Sequence, residues 1–200
     1  MHGEDDGHRV ARVATELDLE GVSATLWAAF HDDPLWSWAF PDRDKLEVWW
    51  RFLISSALRY PWVWITSGCA AASVWIPPGA SELTEHEEAR VEPMLEDLLG
   101  TRSGEVIELL ERFDASHPRS EPHYYLSLLG THPDHRGRGL GMDLLAENLA
   151  RIDEEGMAAY LESSNADNVA RYESVGFRRV GEFSTPDGSH TVATMWREAR

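Results

Sequence analysis

The chain has 200 residues, 42% of them hydrophobic and 26% charged, which is typical of a globular protein with a substantial core. Its net charge of -17 at pH 7 argues against binding to nucleic acid or to an anionic membrane, but it suits a cationic partner such as an amine. The sequence has no apolar run long enough to cross a bilayer and no signal-like N-terminus, so the chain is expected to be cytoplasmic. Its single cysteine fits that compartment and predicts no intramolecular disulfide.

The first part of the chain predicts a strand, two helices and a hairpin. The predicted elements are a strand over residues 9–15, helices over 15–33 and 42–60, and strands over 62–66 and 69–76. The second helix is predicted because apolar residues between Leu46 and Leu58 recur at spacings of three and four. A tight turn at Ser67-Gly68 would join the two strands as a hairpin. Cys69 would then be a small core residue in a strand.

The rest of the chain alternates between helices and strands. The predicted helices are 84–100, 104–114, 141–156 and 165–176, and the predicted strands are 123–132, 157–164, 177–185 and 190–198. The strand over 123–132 is rich in aromatic and apolar residues, which favours a central, buried position. This order predicts a layered α/β or α+β fold with a mixed sheet.

Three glycines stand at alternate positions between the central strand and the next helix. Gly137, Gly139 and Gly141 would let an anion approach the unpaired N–H groups of a helix N-terminus, and glycine tolerates a positive φ. Arg136 and Arg138 add positive charge in an acidic chain, which indicates an anionic ligand. The Walker A loop and the dinucleotide fingerprint both require spacings that differ from this one. A tight turn without a ligand remains the alternative interpretation.

Two separated segments carry a family resemblance. The arrangement Arg136-x-x-Gly139-x-Gly141 resembles the pyrophosphate loop of the GNAT superfamily of N-acetyltransferases. The later segment "SNADNVARYESVGF" resembles a later segment of that family, in which asparagine, tyrosine and Gly-Phe recur in this order, here as Asn165, Asn168, Tyr172 and Gly176-Phe177. Within the superfamily, the chain is similar to the puromycin N-acetyltransferase group, whose loop carries Gln and Lys where this chain has two arginines. The similarity is specific from about residue 121 onward.

The resemblance implies an α+β GNAT fold and acetyl-CoA as cofactor. The fold would be one domain over residues 1–200, with a mixed central sheet of six to seven strands flanked by helices and splayed around the cofactor cleft. About residues 1–120 would form the acceptor side, and about 121–200 the acetyl-CoA side. The residues expected to bind acetyl-CoA are Leu128, Leu129, Gly130, Thr131, Arg136, Gly137, Arg138, Gly139, Leu140, Gly141, Met142, Asn165, Asn168 and Tyr172. A bulge is expected at Leu129-Gly130, with a main-chain N–H near Leu129 as the oxyanion donor.

Acetyl transfer to an amine also needs a proton donor and a proton acceptor. The family resemblance assigns Tyr172 as the general acid for the coenzyme A thiolate. Glu162 is the expected base, and strand alternation places it on the same face as Tyr160. Glu121 and His123, at the start of the central strand, are rival bases and candidate substrate contacts. The alternatives are a structural tyrosine and an ordinary surface carboxylate.

The predicted acceptor contacts are aromatic. Trp36 and Trp38 follow Pro34 in a predicted loop and suit an aromatic or cationic group. Five other tryptophans are expected in the core because of the periodicity of their elements, namely Trp49, Trp50, Trp62, Trp64 and Trp75. His132 and His135 are expected to be loop residues, because no further ligand completes a zinc site, so no metal is predicted.

These features together predict an acetyl-CoA-dependent N-acetyltransferase that acts on a small, cationic amine. Resistance to an aminoacyl-nucleoside antibiotic is one specific form of this activity. The alternatives are acetylation of a protein or peptide, a non-catalytic acyl-CoA-binding regulatory module, and an unrelated nucleotide-binding protein. The expected partner is a small molecule rather than nucleic acid or membrane, and the protein is expected to be a monomer or homodimer.

Overall fold

The computed structural model describes residues 11–200, within which seven strands form one mixed sheet. The strands are β1 (Arg12–Val13), β2 (Val63–Ile65), β3 (Ala71–Ile76), β4 (His123–Thr131), β5 (Ala158–Ser163), β6 (Arg178–Ser184) and β7 (Thr191–Arg197). Their order across the sheet is β1-β2-β3-β4-β5-β7-β6, and only β4 and β5 pair in parallel. The predicted first strand begins at residue 9, so its first two residues lie outside the described part of the chain. The mixed sheet and the α+β class are confirmed.

Seven α-helices flank this sheet within residues 11–200. They are α1 (Leu19–Phe30), α2 (Pro34–Ala39), α3 (Arg43–Ala57), α4 (Glu85–Leu99), α5 (Ser103–Ser116), α6 (Leu140–Glu154) and α7 (Val169–Ser174). Helix α2 replaces a predicted loop. It forms because the Asp33 side chain accepts hydrogen bonds from the N–H groups of Leu35 and Trp36, and Pro34 suits the first helical position. None of the described helices is both long enough and apolar enough to span a bilayer.

The connection between β2 and β3 is longer than the predicted turn. The Thr66 N–H donates to the Ala71 carbonyl, and the Ala71 N–H donates to Thr66 Oγ1, so the loop closes across five residues. Gly68 and Cys69 both lie in the left-handed region within it, at φ values of 65° and 55°. The predicted hairpin is confirmed, since β2 and β3 pair antiparallel, but its turn extends beyond Ser67-Gly68 and the prediction of a strand at Cys69 is wrong.

The core has two layers, one on each face of the sheet. Helices α1 to α5 cover one face, where Trp50 and Phe40 are fully buried. Helix α6 covers the other face, where the buried Asn148 side chain accepts hydrogen bonds from Ser73 and Trp75 of β3. These contacts hold α6 against the centre of the sheet, and so fix its N-terminus beside the end of β4.

A bulge at Ser127 of β4 lies at the point where β4 and β5 separate. Val74 of β3 pairs with Leu128, but the next residue, Trp75, pairs with Leu126, so Ser127 is the additional residue in β4. Pairing between β4 and β5 ends at Leu126 and Leu161. Beyond this point the two strands diverge, and a cleft opens between them.

The predicted bulge at Leu129-Gly130 is therefore wrong. Gly130 serves a different purpose, because a Cβ atom there would lie 2.6 Å from the Ala29 Cβ of α1. The glycine allows close packing of α1 against β4 rather than a break in strand pairing.

Candidate active site

A cavity of about 1000 Å³ lies where β4 and β5 separate. Its aromatic wall comes from α1, α2, α3 and α5, and consists of Phe30, Trp36, Trp49, Trp50 and Phe113. The opposite wall includes the end of β5 and side chains that follow it, among them Ser164, Asn168 and Tyr172. The cavity is large enough for a drug-sized ligand and combines an apolar lining with a few polar groups.

Glu162 lies on β5, one residue beyond the last pair with β4, and its side chain is only 2% exposed. Burial raises the pKa of its carboxyl group to about 8, although hydrogen bonding by Tyr160 and Tyr125 opposes the rise. The nearby Glu82 carboxylate raises this pKa further. Glu162 and Tyr160 share a face, as the alternation of the strand predicts.

The histidines beside Glu162 are neutral or fully engaged. His117, at the end of α5, has Nδ1 3.9 Å from Glu162 Oε1, and its pKa is lowered to about 4 by burial and by His123. Both ring nitrogens of His123 have partners, at 2.7 Å to the Glu121 carbonyl oxygen and 3.1 Å to His117 Nε2. Glu121 and His123 line the cavity as expected, but these contacts favour Glu162 over His123 as the proton acceptor.

Tyr172 lies on α7 and borders the same cavity as Glu162. Burial raises the pKa of its phenol to about 12, and the Asp33 carboxylate contributes to this rise. The phenol is therefore protonated throughout the physiological pH range, as a general acid must be before it acts.

The two asparagines predicted beside Tyr172 have different positions. Asn168 lines the cavity, and its Oδ1 accepts a hydrogen bond from Arg171 at 3.3 Å. Asn165 does not line the cavity, because its side chain accepts a hydrogen bond from the Asp167 N–H at 3.0 Å and caps the turn before α7. The structure thus assigns Asn165 a local capping role.

Asp33 is a buried carboxylate beside the cavity that none of the sequence motifs indicated as a site residue. Its Oδ2 accepts a hydrogen bond from Ser164 Oγ at 2.8 Å, which joins α2 to the end of β5 beside the cavity. Burial raises the pKa of this carboxyl group. The sequence signal was available, because an aspartate before a proline is a strong helix N-cap.

The two tryptophans proposed as substrate contacts differ in position. Trp36 borders the cavity and packs against Trp50 with ring centroids 4.5 Å apart. Trp38 is not in the cavity wall; its indole N–H donates to Asp187 Oδ2 at 2.9 Å, and Arg102 lies over its ring. Positions two residues apart on a helix point in different directions, so Trp38 does not share the cavity with Trp36.

The glycines of the loop before α6 have separate structural roles. Gly137 and Gly139 adopt positive φ values of 78° and 81°, which other residues rarely adopt. A Cβ at Gly141 would lie 2.6 Å from Thr131 Oγ1, so this glycine lets the first turn of α6 approach the end of β4. Together they leave the N-terminus of α6 accessible, with its unpaired N–H groups and partial positive charge.

The two loop arginines also differ. Arg136 donates a hydrogen bond to the Ala29 carbonyl oxygen at 2.8 Å, so its guanidinium ties the loop to the end of α1. Arg138 is exposed beside the helix N-terminus. Arg136 is exposed as well, so the two differ in that the Arg138 guanidinium forms no hydrogen bond or ion pair within residues 11–200 and can turn to an anionic ligand.

The open edge of β4 presents main-chain donors to the cleft. The His132 N–H donates to the Ala70 carbonyl, toward β3. Because alternate residues of a strand direct their N–H groups to opposite sides, those of Leu129 and Thr131 point to the open edge. This direction agrees with the predicted donor near Leu129.

Residues 24–177 match the family model described as the acetyltransferase (GNAT) family. This match spans most of the chain. The chain belongs to the GNAT family of acetyltransferases. It is therefore an acyltransferase, and its seven-stranded splayed sheet is the GNAT fold.

Solved structures of other GNAT-fold proteins cover nearly the whole chain. A histone acetyltransferase HPA2 and related acetyltransferase from Corynebacterium glutamicum has a TM-score of 0.70 at 21% identity, with 96% of each chain covered. The polyamine N-acetyltransferase of Drosophila melanogaster has a TM-score of 0.63 at 18% identity, over 94% of this chain and 99% of that one. Arylalkylamine N-acetyltransferase 2 from Aedes aegypti has a TM-score of 0.68 at 13% identity, over 96% and 99%. At these identities the likeness shows the fold alone.

GNAT enzymes generally use acetyl-CoA, and the described residues fit such a ligand. The accessible N-terminus of α6 suits a pyrophosphate, because its unpaired N–H groups and partial positive charge favour an anion. The lack of a side chain at Gly141 lets this turn lie against Thr131. The unpaired edge of β4 suits an extended, amide-rich arm, which can add to a sheet edge as a strand does.

Proposed function

We propose that this GNAT enzyme transfers an acetyl group from acetyl-CoA to the primary amine of a small, cationic molecule, in a ternary complex. The observation that carries this proposal is that Glu162 and Tyr172 border one cavity at the splay of β4 and β5. Such a site can take a proton from an amine and give one to a leaving group within the same space. The net charge of -17 supports a cationic acceptor.

The cofactor would lie along the cleft from α6 to the bulge. The loop from Arg136 to Met142 would hold its pyrophosphate, and the N–H groups of Leu129 and Thr131 would bind its amide-rich arm. Leu128 and Leu129 line the cavity, and Asn168 lies across the cleft from them. When bound, acetyl-CoA supplies an acetyl group activated as a thioester.

Glu162 prepares the amine for attack. An alkylammonium has a pKa of about 10.4 in water, so the acceptor arrives protonated. Glu162 takes one proton from it, and removal from water favours the neutral amine, since burial disfavours a charged ammonium. The Leu129 N–H would donate to the acyl oxygen as negative charge develops there.

Tyr172 completes the transfer by protonating the departing thiolate. The new N–C bond forms as the C–S bond breaks, and the Tyr172 proton passes to sulfur. The second proton lost by nitrogen restores the phenol, and the proton on Glu162 is released to solvent. With a pKa of about 12, Tyr172 holds its proton before the transfer begins, and return of a proton from nitrogen keeps the phenolate from accumulating.

The aromatic wall supports the finer proposal of an acceptor with an apolar body, as in the puromycin N-acetyltransferase group that the sequence resembles. Trp36, Trp49 and Trp50 offer ring faces and edges to such a group. Related folds named for polyamine and arylalkylamine acetylation also support a small amine. A cytoplasmic location remains a prediction from the single cysteine.

Thiol release from acetyl-CoA, measured against a panel of amines, tests the proposal. The panel contains puromycin, polyamines, arylalkylamines, amino acids, aminoglycosides and short peptides. We expect release with a small amine, and a loss of about 100-fold in kcat for Tyr172→Phe with little change in acetyl-CoA affinity. Calorimetry of acetyl-CoA binding supplies the second measurement.

Two results would contradict this assignment. Unchanged turnover in Tyr172→Phe would remove the general-acid role, while leaving the transferase activity in place. Acetyl-CoA binding without release for any amine would favour the alternative of a regulatory module, for which the acid at Tyr172 serves no purpose.

A further inference from the structure

Five acidic residues line the cavity, and Glu82 is the one besides Glu162 that is not exposed. Glu82 lies between β3 and α4, and its Oε1 accepts a hydrogen bond from Ser127 Oγ. Ser127 is the bulge residue of β4, next to the last pair between β4 and β5. The bulge that opens the cleft therefore also holds this carboxylate beside the opening.

The main chain around Glu82 is fixed by its neighbours. Arg59 donates hydrogen bonds to the carbonyl oxygens of Ser81 and Glu82, and the Tyr60 hydroxyl donates to the Ser81 carbonyl at 3.0 Å. The Arg59 guanidinium thus holds the backbone, and it acts on the Glu82 carboxylate only at longer range. Within residues 11–200, that carboxylate forms no ion pair with a basic side chain.

Glu162 is equally without a compensating charge. Its Oε2 is buried and accepts no hydrogen bond from any residue in the described range. The adjacent His117 is neutral at pH 7, because burial lowers its pKa to about 4. Arg119, which also lines the cavity, is paired with Asp114 at 2.6 Å.

Two buried carboxylates in one cavity repel each other when both are ionised. Burial raises the pKa of Glu82, and its presence raises that of Glu162. A ligand with one positive charge can compensate only one of the pair. A ligand with two positive charges can compensate both, and one charge remains at Glu82 after the other nitrogen has lost its proton.

We propose that Glu82 and Ser127 form a second anionic subsite of the acceptor cavity, which binds a positive charge other than that of the reacting amine. The preferred acceptors are then diamines and related dications, whose carbon chain packs along Trp36, Trp49 and Phe113. This inference rests on the proposed function, since it assigns the reacting nitrogen to Glu162.

Matched pairs of amines test the subsite. Diaminobutane is compared with butylamine, and diaminopentane with pentylamine, by kcat/KM for thiol release and by calorimetric Kd. We expect the diamine of at least one pair to exceed its monoamine by about tenfold or more in both quantities. In Glu82→Gln this ratio should fall to about one. Ser127→Ala keeps the charge but removes its donor, so it should lower the ratio to an intermediate value.

Glu85→Gln is the matched control. Glu85 lies three residues from Glu82, is exposed and does not line the cavity, so its loss should leave the ratio unchanged. If Glu82→Gln fails to fold, as judged by circular dichroism, Ser127→Ala carries the comparison. A ratio near one in the unmodified enzyme, or a ratio that survives Glu82→Gln, would overturn the subsite.

The two proposals can fail separately. Thiol release with equal efficiency for diamines and monoamines would uphold the transferase function and reject the second subsite. Absence of release with every amine would reject the proposed function, and the calorimetric ratio would still decide whether the cavity selects two charges.

Discussion

Glu162 combines a buried position with a reactive role, and its surroundings explain how both are possible. The carboxyl group lies among Tyr125, Tyr160 and His117, none of which carries a positive charge at neutral pH. Its pKa of about 8 means that the group is largely protonated at neutral pH and ionises under mildly alkaline conditions. A base with this pKa is close enough to an alkylammonium in pKa to accept its proton.

Glu162→Gln should change the pH dependence of both activity and stability. For the unmodified enzyme, kcat/KM should rise with pH through about 8, because the ionised carboxylate is the active form. The variant should lose this rise. It should retain only the increase that comes from deprotonation of the free alkylammonium, whose pKa is about 10.4 in water. A pH profile with the same midpoint near 8 in the variant would exclude Glu162 as the base.

The stability effect has the opposite direction. The folded state holds the proton of Glu162 up to about pH 8, whereas the unfolded chain releases it near the ordinary value of 4.5. The free energy of unfolding should therefore decrease as pH rises between these values. Thermal melts of Glu162→Gln should show a smaller decrease in stability over the same pH range. An identical decrease in the variant would contradict a raised pKa for the buried Glu162 carboxyl group.

At the scale of elements, the site depends on two close approaches to β4. Helix α1 packs over Gly130, and the first turn of α6 packs over Thr131 through Gly141. The second approach places the N-terminus of α6 at the end of the open strand edge. Any atom added between Gly141 and Thr131 must displace α6 or rotate the Thr131 side chain. Asn148 holds α6 at its centre, which opposes such a displacement.

Gly141→Ala should weaken acetyl-CoA binding, because its Cβ would lie 2.6 Å from Thr131 Oγ1. We expect a several-fold rise in the Kd of acetyl-CoA, with a loss of about 1–3 kcal/mol in the free energy of unfolding. Calorimetry and chemical denaturation measure the two effects. Adding Thr131→Ala should restore part of both, since it removes the contacting oxygen.

Gly104→Ala provides the control for this substitution. Gly104 lies in the first turn of α5, and a Cβ there would meet no atom within 4 Å. The change should leave acetyl-CoA binding unaltered and stabilise the protein by about 0.5–1 kcal/mol. Equal weakening of binding by both substitutions would show that the close approach at Thr131 is not responsible.

At the scale of the whole molecule, the net negative charge acts in opposite directions on the amine and on acetyl-CoA. The chain carries 35 acidic and 18 basic side chains, which attract a cationic amine and repel the anionic cofactor at long range. The exposed Arg138 beside the α6 N-terminus counters this repulsion locally. The two ligands would then respond in opposite ways to ionic strength.

Added salt should lower kcat/KM for a cationic amine and raise it, or leave it constant, for acetyl-CoA. Between about 0.01 M and about 1 M salt the screening length falls from about 30 Å to about 3 Å, so long-range attraction and repulsion both disappear. We expect a several-fold decrease for the amine, measured at saturating acetyl-CoA. A decrease of the same size for both substrates would indicate a general effect of salt instead.

The sequence alone determined the elements and the family, because these depend on local patterns. Hydrophobic spacing predicted most helices and strands, and the residues from Arg136 to Gly141, with Tyr172, identified the GNAT loop and later motif. Glycine positions and capping residues act within a few residues of chain, so their signals survive without tertiary contacts. Even the Asp33 cap could have been found in this way.

The tertiary structure decided which side chains share the cavity and what charge they carry. The bulge at Ser127 rather than at Gly130 depends on how β3, β4 and α1 pack, which no local pattern records. Trp36 and Trp38 are two residues apart, yet only Trp36 lines the cavity. The pKa of Glu162 and its proximity to Glu82 likewise arise from burial by residues distant in sequence, because desolvation and Coulomb interactions depend on distance in space.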